Sequence, residues 1–258
     1  MTAKSSLFAK YSTIIRQHGQ PVLDDALLLG RSGSLATYYA PFDALFPNAK
    51  IVLVGISPGK AQMTDAICEA QRMLLSGASD QDALLAGKRM GAFGGPMRKN
   101  LIQILDRVGL NGFLKISSCA DLFGKSSPLL MTTSILPFPV FVDGENYNGK
   151  PDPWKTPFLR QQVEQYFIPI VQAMQNAVFV PLGPIPSKVL VALSNSGALA
   201  RGRVIDGLPH PSGANAERIK YFLGLKERAQ LSEKVDPVKL DIALSAAREH
   251  VRQLTAVA

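Results

Sequence analysis

The stretch Lys50-Ile51-Val52-Leu53-Val54-Gly55-Ile56-Ser57-Pro58-Gly59-Lys60 decides how the chain is read. A continuous β-branched run bounded by turn residues predicts a strand buried on both faces, as in a parallel sheet. It opens into a tight Gly-Pro-Gly loop, and a helical pattern follows from Ala61 to about Leu75. Strand, tight loop and helix is the layout that puts a ligand at the carboxyl end of a parallel strand. The loop is not a phosphate-binding P-loop. Three residues separate Gly55 from Gly59 where that motif has four, and no Ser or Thr follows Lys60.

Upstream, residues 5–17 read as an amphipathic helix ending near His18-Gly19, with His18 at a solvated helix end. Leu23 to Leu29 reads as a helix stopped by Gly30, and Tyr38 to Phe42 as an aromatic turn over the sheet edge. Downstream, residues 87–95 form a glycine-rich basic loop, in which Phe93 either anchors the loop or stacks on a flat ligand. Residues 96–109 read as a helix with Leu101, Ile104, Leu105 and Val108 on one face, Pro96 at its start and Gly109 at its end. A second buried run, Leu129 to Leu136, carries Thr133 and Ser134 near its carboxyl end. Residues 142–157 read as a long surface loop with the only tryptophan, Trp154, as a pin or a groove wall. A helix from about Thr156 to Asn176 leads into a third strand, Ala177 to Leu182. Gly183-Pro184 then opens a further helix, and Val204-Ile205 is a short fourth strand. The tail from about Pro237 to Leu254 is an amphipathic helix with His250 at the surface. Strands alternate with helices and no linker or repeat interrupts them, so residues 1–258 are expected to form a single α/β domain with a mainly parallel sheet.

The fourth strand feeds Leu208-Pro209-His210-Pro211-Ser212-Gly213-Ala214-Asn215. Prolines stiffen the backbone on both sides of the ring. The helical stretch Glu217 to Leu223 follows, with Ser212 or Asn215 as its N-cap and free N–H groups for an anion.

Of 258 residues 47% are hydrophobic, enough for a full core. Lys plus Arg number 28 against 20 Asp plus Glu, and the net charge of +8 favours polyanionic partners, nucleic acid first. The two cysteines, Cys68 and Cys119, are too few and too far apart for a disulfide framework or a four-cysteine metal site, and read as buried thiols. The first residues lack the apolar stretch of a signal peptide, and no window reaches the ~18 apolar residues of a membrane span. A cytoplasmic monomer is the expectation.

Gly55-Ile56-Ser57-Pro58-Gly59 and His210-Pro211-Ser212 together resemble the uracil-DNA glycosylase superfamily. The first loop is similar to its water-binding Gly-x-x-Pro-Gly motif and the second to its His-Pro-Ser motif. Phe93 falls where the family places the aromatic that stacks on the flipped base, and Ser134 where it usually has a base-reading Asn. Val178 to Gly183 resembles its strand and Leu-Gly before a helix. The resemblance covers about residues 48–225. It implies a three-layer α/β/α sandwich with a central four-stranded parallel sheet, and a metal- and cofactor-free enzyme acting on single- or double-stranded DNA.

Under that resemblance the base is flipped into a pocket, and His210 stabilises the charge that develops on its O2 as the glycosidic bond breaks. Ser57, or the carbonyls of Ile56 and Pro58, holds the attacking water, and the loop glycines let backbone approach the sugar. Ser212 holds a flanking phosphate, Gly213 and Ala214 press into the minor groove, and Asn215 completes that loop. Lys60, Lys88, Arg89, Arg98, Lys99, Arg218 and Lys220 are candidate phosphate contacts. Two departures matter: Ser57 stands where several branches have Asn or Asp, and Ser134 replaces the base-reading Asn. They leave open other deaminated bases, abasic sites, and a damage-binding protein with little turnover. A third reading is an unrelated α/β enzyme with a phosphorylated ligand at the Gly55–Gly59 loop.

Overall fold

The computed structural model describes residues 7–18, 23–91, 95–124, 127–200 and 202–256. The first half runs α1 (Leu7–His18), β1 (Leu28–Ser32), β2 (Leu35–Tyr38), β3 (Ile51–Gly55), α2 (Lys60–Leu75), α3 (Asp80–Met90), α4 (Gly95–Arg107) and α5 (Leu110–Leu114). The second half runs β4 (Leu130–Ser134), β5 (Val140–Val142), β6 (Glu145–Asn146), α6 (Pro157–Gln162), α7 (Ile168–Ala173), β7 (Val178–Pro181), α8 (Pro184–Asn195), α9 (Ala216–Phe222) and α10 (Pro237–Ala256). The protein is α/β, with one parallel and one antiparallel sheet. Among the described residues no helix is long and apolar enough to cross a membrane.

The chain divides into two compact units, each drawn from three separate stretches. The parallel unit comprises Phe46–Gly55, Phe93–Thr132 and Val171–Ala258; the antiparallel unit comprises Met1–Leu45, Ile56–Ala92 and Thr133–Ile170.

The parallel sheet has the order β4-β3-β7, with β3 in the middle. β3 and β7 run parallel from Ile51↔Val178 to Val54↔Pro181. At the start of β3 the N–H groups of Lys50 and Ile51 donate to the Leu129 carbonyl. The expected fourth strand is a single parallel bridge, Phe179↔Val204, flanked by hydrogen bonds from Phe179 N–H to Arg203 and from Ile205 N–H to Phe179. Ile51 to Val54 are wholly buried, as the unbroken β-branched run predicts. Ile51 and Leu53 join Val178 and Val180 of β7, Phe222 of α9 and the four-residue stripe of α4 in one core. Gly109, at φ +89, stops the α4 pattern in a left-handed conformation that glycine adopts without strain.

The antiparallel sheet, order β1-β2-β5-β6, corrects the reading of two stretches. Leu23 to Leu29 is not a helix: a 3₁₀ turn at Asp25–Leu27 gives way to β1, which pairs with β2 around Gly33-Ser34. The loop read at 142–157 contains the hairpin β5–β6, closed by Asp143-Gly144 with φ of 50° and 83°. Two positive φ values in a two-residue Asp-Gly connection are the mark of a type I′ hairpin. Tyr39, read as part of a covering turn, is fully buried.

The helices differ too. Residues 87–90 are the last turn of α3 rather than a loop. Gly87 is there for packing, since a Cβ would stand 2.7 Å from the Ala66 carbonyl oxygen of α2 and 2.8 Å from Pro41. The helix expected from Thr156 begins at Pro157, passes through a π-helical turn at Val163–Phe167 and ends at Ala173.

Candidate active site

In the parallel unit the carboxyl ends of β3 and β7 lie side by side, with Leu182 N–H donating to the Val54 carbonyl at 2.8 Å. Gly55 ends β3 and Gly183 follows β7. Gly183 has φ +103, and a Cβ on it would stand 3.4 Å from His210 Cδ2. Glycine there allows both the turn and the edge-on approach of the imidazole. The structure thus joins Gly55, Gly183 and His210 at one sheet edge.

His210 is half-buried between the buried Pro209 and Pro211. Its Nδ1 accepts the Ser212 N–H at 3.2 Å. A neutral imidazole that accepts at Nδ1 carries its proton on Nε2. Burial pushes the ring's pKa below its ordinary value, so the neutral form dominates at neutral pH. The ring is a hydrogen-bond donor of fixed tautomer, suited to a developing oxyanion.

Around it the loop is cross-linked. Asn100 of α4 donates through Nδ2 to the Pro211 carbonyl at 2.9 Å. Asn215 donates to Ser212 Oγ at 3.1 Å and accepts from Arg218 at 3.2 Å. Arg218 also donates to the Lys234 carbonyl at 2.6 Å. Asn215 and Arg218, expected to meet DNA, therefore brace the loop, although the Ser212 hydroxyl keeps its own proton to donate. Neither Ser212 nor Asn215 makes the expected side-chain N-cap bond, and α9 is seven residues long behind a 3₁₀ turn. Gly213 and Ala214 are exposed on that turn, and a Cβ at Gly213 would meet nothing within 4 Å.

In the antiparallel unit, Ile56 to Gly59 enter α2. The Ile56 carbonyl accepts from Leu136 N–H at 3.0 Å, which occupies one of its two lone pairs. Ser57 Oγ accepts from Val140 N–H at 3.0 Å, tying the loop to β5. Its longer contacts run to the carbonyls of Pro58, at 3.3 Å, and Phe138, at 3.5 Å. Gly59 N–H donates to Gln62 Oε1 at 3.1 Å, and Lys60 N–H to Asn146 Oδ1 at 2.8 Å. Ser134 is buried at the end of β4, and its hydroxyl makes no hydrogen bond with any described residue. Phe93 lies outside the described residues.

The candidate cations separate. Lys60, Arg89, Lys99 and Lys220 are exposed. Arg98 lies 5.5 Å from the Phe123 ring centroid. Lys88 is a correction: it is buried and its ammonium donates to the carbonyls of Phe42, at 2.8 Å, and Ala44, so it cannot reach a phosphate. Burial pushes its pKa down to about 7 against the pull of Asp43. Asp43 in turn accepts from Tyr39 Oη at 2.9 Å and Phe8 N–H at 3.3 Å. The cysteines also differ from expectation, since Cys119 is buried but Cys68 only half so. Among the described residues no three His, Cys, Asp or Glu side chains converge as metal ligands would.

Sequence reasoning passed over Asn100, Gln62 and Asn146. No local pattern marks them, because each acts on backbone distant in the chain.

No family model and no solved structure matches the chain. A protein of Bacillus subtilis (strain 168) described as "Uncharacterized protein YoxB" is 33% identical to it over 226 residues, spanning 86% of this chain and 88% of that protein. With that identity across nearly the whole of both chains, this chain belongs to the YoxB family.

Proposed function

We propose that this protein hydrolyses the N-glycosidic bond of a flipped uracil, or another deaminated base, in DNA. The observation that carries the reading is His210 held with Nδ1 accepting from Ser212 N–H, hence presenting Nε2–H from a rigid loop at the end of a parallel sheet. As the bond from the base nitrogen to C1′ breaks, its electron pair passes to the base and spreads onto O2. Nε2–H donates to that oxygen, and a neutral donor does so without first losing a partner charge. Water adds to the oxocarbenium-like C1′ and releases a proton to solvent, and the departing base anion takes up a proton from solvent, leaving free base and an abasic site. The Ser212 Oγ–H is available to a phosphate. Exposed Gly213 and Ala214 suit close approach to the minor groove. The three hydrogen-bonded parallel strands and the bridge at Val204 are compatible with a four-stranded α/β/α sandwich of the uracil-DNA glycosylase type.

A second reading, a damaged- or abasic-DNA-binding protein with slow turnover, is favoured by Ser57. Its oxygen already accepts from Val140 N–H, and the neighbouring Ile56 carbonyl from Leu136 N–H, so a water on that loop would share acceptors that hold the loop in place.

The deciding experiment is single-turnover base release from an oligonucleotide with one uracil, beside hypoxanthine, xanthine and abasic substrates. Release by wild type, reduced about 10²–10³-fold in His210→Ala with salt-sensitive DNA binding unchanged, is the expected result. Binding without release from any base selects the second reading, and neither binding nor release removes both.

A further inference from the structure

The peptide between Pro211 and Ser212 is gripped at both ends. Its N–H meets His210 Nδ1 at 3.2 Å, and its carbonyl receives Asn100 Nδ2 at 2.9 Å. A trans peptide is planar, with N–H and C=O pointing opposite ways, so an anchor on the oxygen also aims the N–H. The Asn100 amide orientation is unambiguous, because the Pro211 carbonyl can only accept. The geometry points to Asn100 as the positioning residue of His210: from α4, through the Pro211–Ser212 peptide, it fixes which imidazole nitrogen carries the proton and where that proton points.

Two physical effects act along this line. The first is orientation. With the carbonyl held, the peptide cannot rotate its N–H away from Nδ1, so the Nδ1–H tautomer would place two protons against each other. The second is polarisation. A donor on the carbonyl draws electron density toward oxygen and makes the N–H of the same amide a stronger donor, as in hydrogen-bond chains generally. The strengthened bond to Nδ1 makes Nε2–H a better donor in turn. The brace from Lys234 through Arg218 and Asn215 reaches Ser212 Oγ and steadies the same residue from its side chain. That brace leaves the Pro211 carbonyl untouched, so the two supports are separable. Asn100 itself touches no reacting atom; it acts through the ring.

The inference rests on the glycosylase reading for what the imidazole does, but not for how the imidazole is held. The test therefore has two arms. The chain has three histidines, so ¹⁵N labelling of histidine yields a spectrum simple enough to assign by comparison with His210→Ala. Wild type should show His210 as a single Nε2–H tautomer above its pKa. Asn100→Ala, and Asn100→Asp as an isosteric variant should alanine fail to fold, should populate the Nδ1–H tautomer. In the second arm, each variant should release uracil roughly tenfold more slowly at unchanged DNA affinity. The loss should vanish in a His210→Ala background, since residues acting as one unit are not additive. A variant that folds and retains both the wild-type tautomer and the wild-type rate would overturn the role of Asn100. A wild type with the Nε2–H tautomer but no base release from any substrate would overturn the glycosylase reading, while the tautomer arm would still decide the role of Asn100.

Discussion

The two units bury different chemistry around their central elements. In the parallel unit β3 sits among aliphatic side chains, with α4, α9 and β7 closing on Ile51 and Leu53. Polar side chains there gather at the strand ends, where the His210 loop is braced. The antiparallel unit instead closes Lys88, Asp43 and Tyr39 into its interior, with Tyr11 stacked on Tyr39 at 4.2 Å between ring centroids. Aliphatic burial is insensitive to pH, whereas buried ionisable groups make stability depend on it. A lysine that reads as a DNA contact in sequence becomes, once enclosed, a bolt between α3 and the segment around Phe42.

The comparison predicts a graded set of responses. Leu53→Ala should have the largest effect on stability, about 2–5 kcal/mol, and the loss should be the same at every pH. Urea melts of both proteins at several pH values measure it, and a pH-dependent loss would break the contrast. Gly87→Ala should cost about 1–3 kcal/mol by forcing α2, α3 and Pro41 apart. An unchanged melting midpoint would mean that the interface has slack which the 2.7 Å approach denies.

The change that is gentlest at any one pH is a slope. Burial takes the folded-state pKa of Lys88 down to about 7 from 10.5. Between those values the unfolded chain holds a proton that the folded chain has released. The unfolding free energy should therefore rise with pH through that window, by at most about 1.4 kcal/mol per pH unit, with no contribution from this group below it. Asp43, raised by burial above its ordinary value, works the other way at lower pH, where stability should fall as pH climbs through its titration. Lys88→Met should abolish the alkaline rise while leaving two carbonyls unpaired. An equal slope in wild type and variant would place the titration elsewhere.

Much of the parallel unit was legible because its signals are local. The β3 run, the α4 stripe and the Pro-His-Pro turn each state their structure within a few residues. The antiparallel sheet was harder to read. Leu27-Leu28-Leu29 is an apolar run too short to separate helix from strand, and it leans toward helix after two aspartates. Gly33-Ser34 and Asp143-Gly144 do carry two-residue hairpin signals, so those turns were readable in principle. Gly87 among basic residues looks like loop sequence, yet it marks the close approach of two helices, a contact invisible without the partner helix.

Sequence alone determined that a buried strand would open into a Gly-Pro-Gly loop, that α4 would present an apolar stripe, and that His210 would sit on a stiff turn. Backbone dihedrals and side-chain periodicity dictate these over a few residues. Only the tertiary structure decided that Lys88 is enclosed, that Ser57 binds β5, and that His210 Nδ1 accepts from Ser212 N–H. Hydrogen bonds of this kind join distant parts of the chain: Ser57 and Val140 stand 83 positions apart, and Asn100 and Pro211 stand 111 apart. A buried donor or acceptor must find a partner wherever the fold supplies one, and no local pattern names that partner.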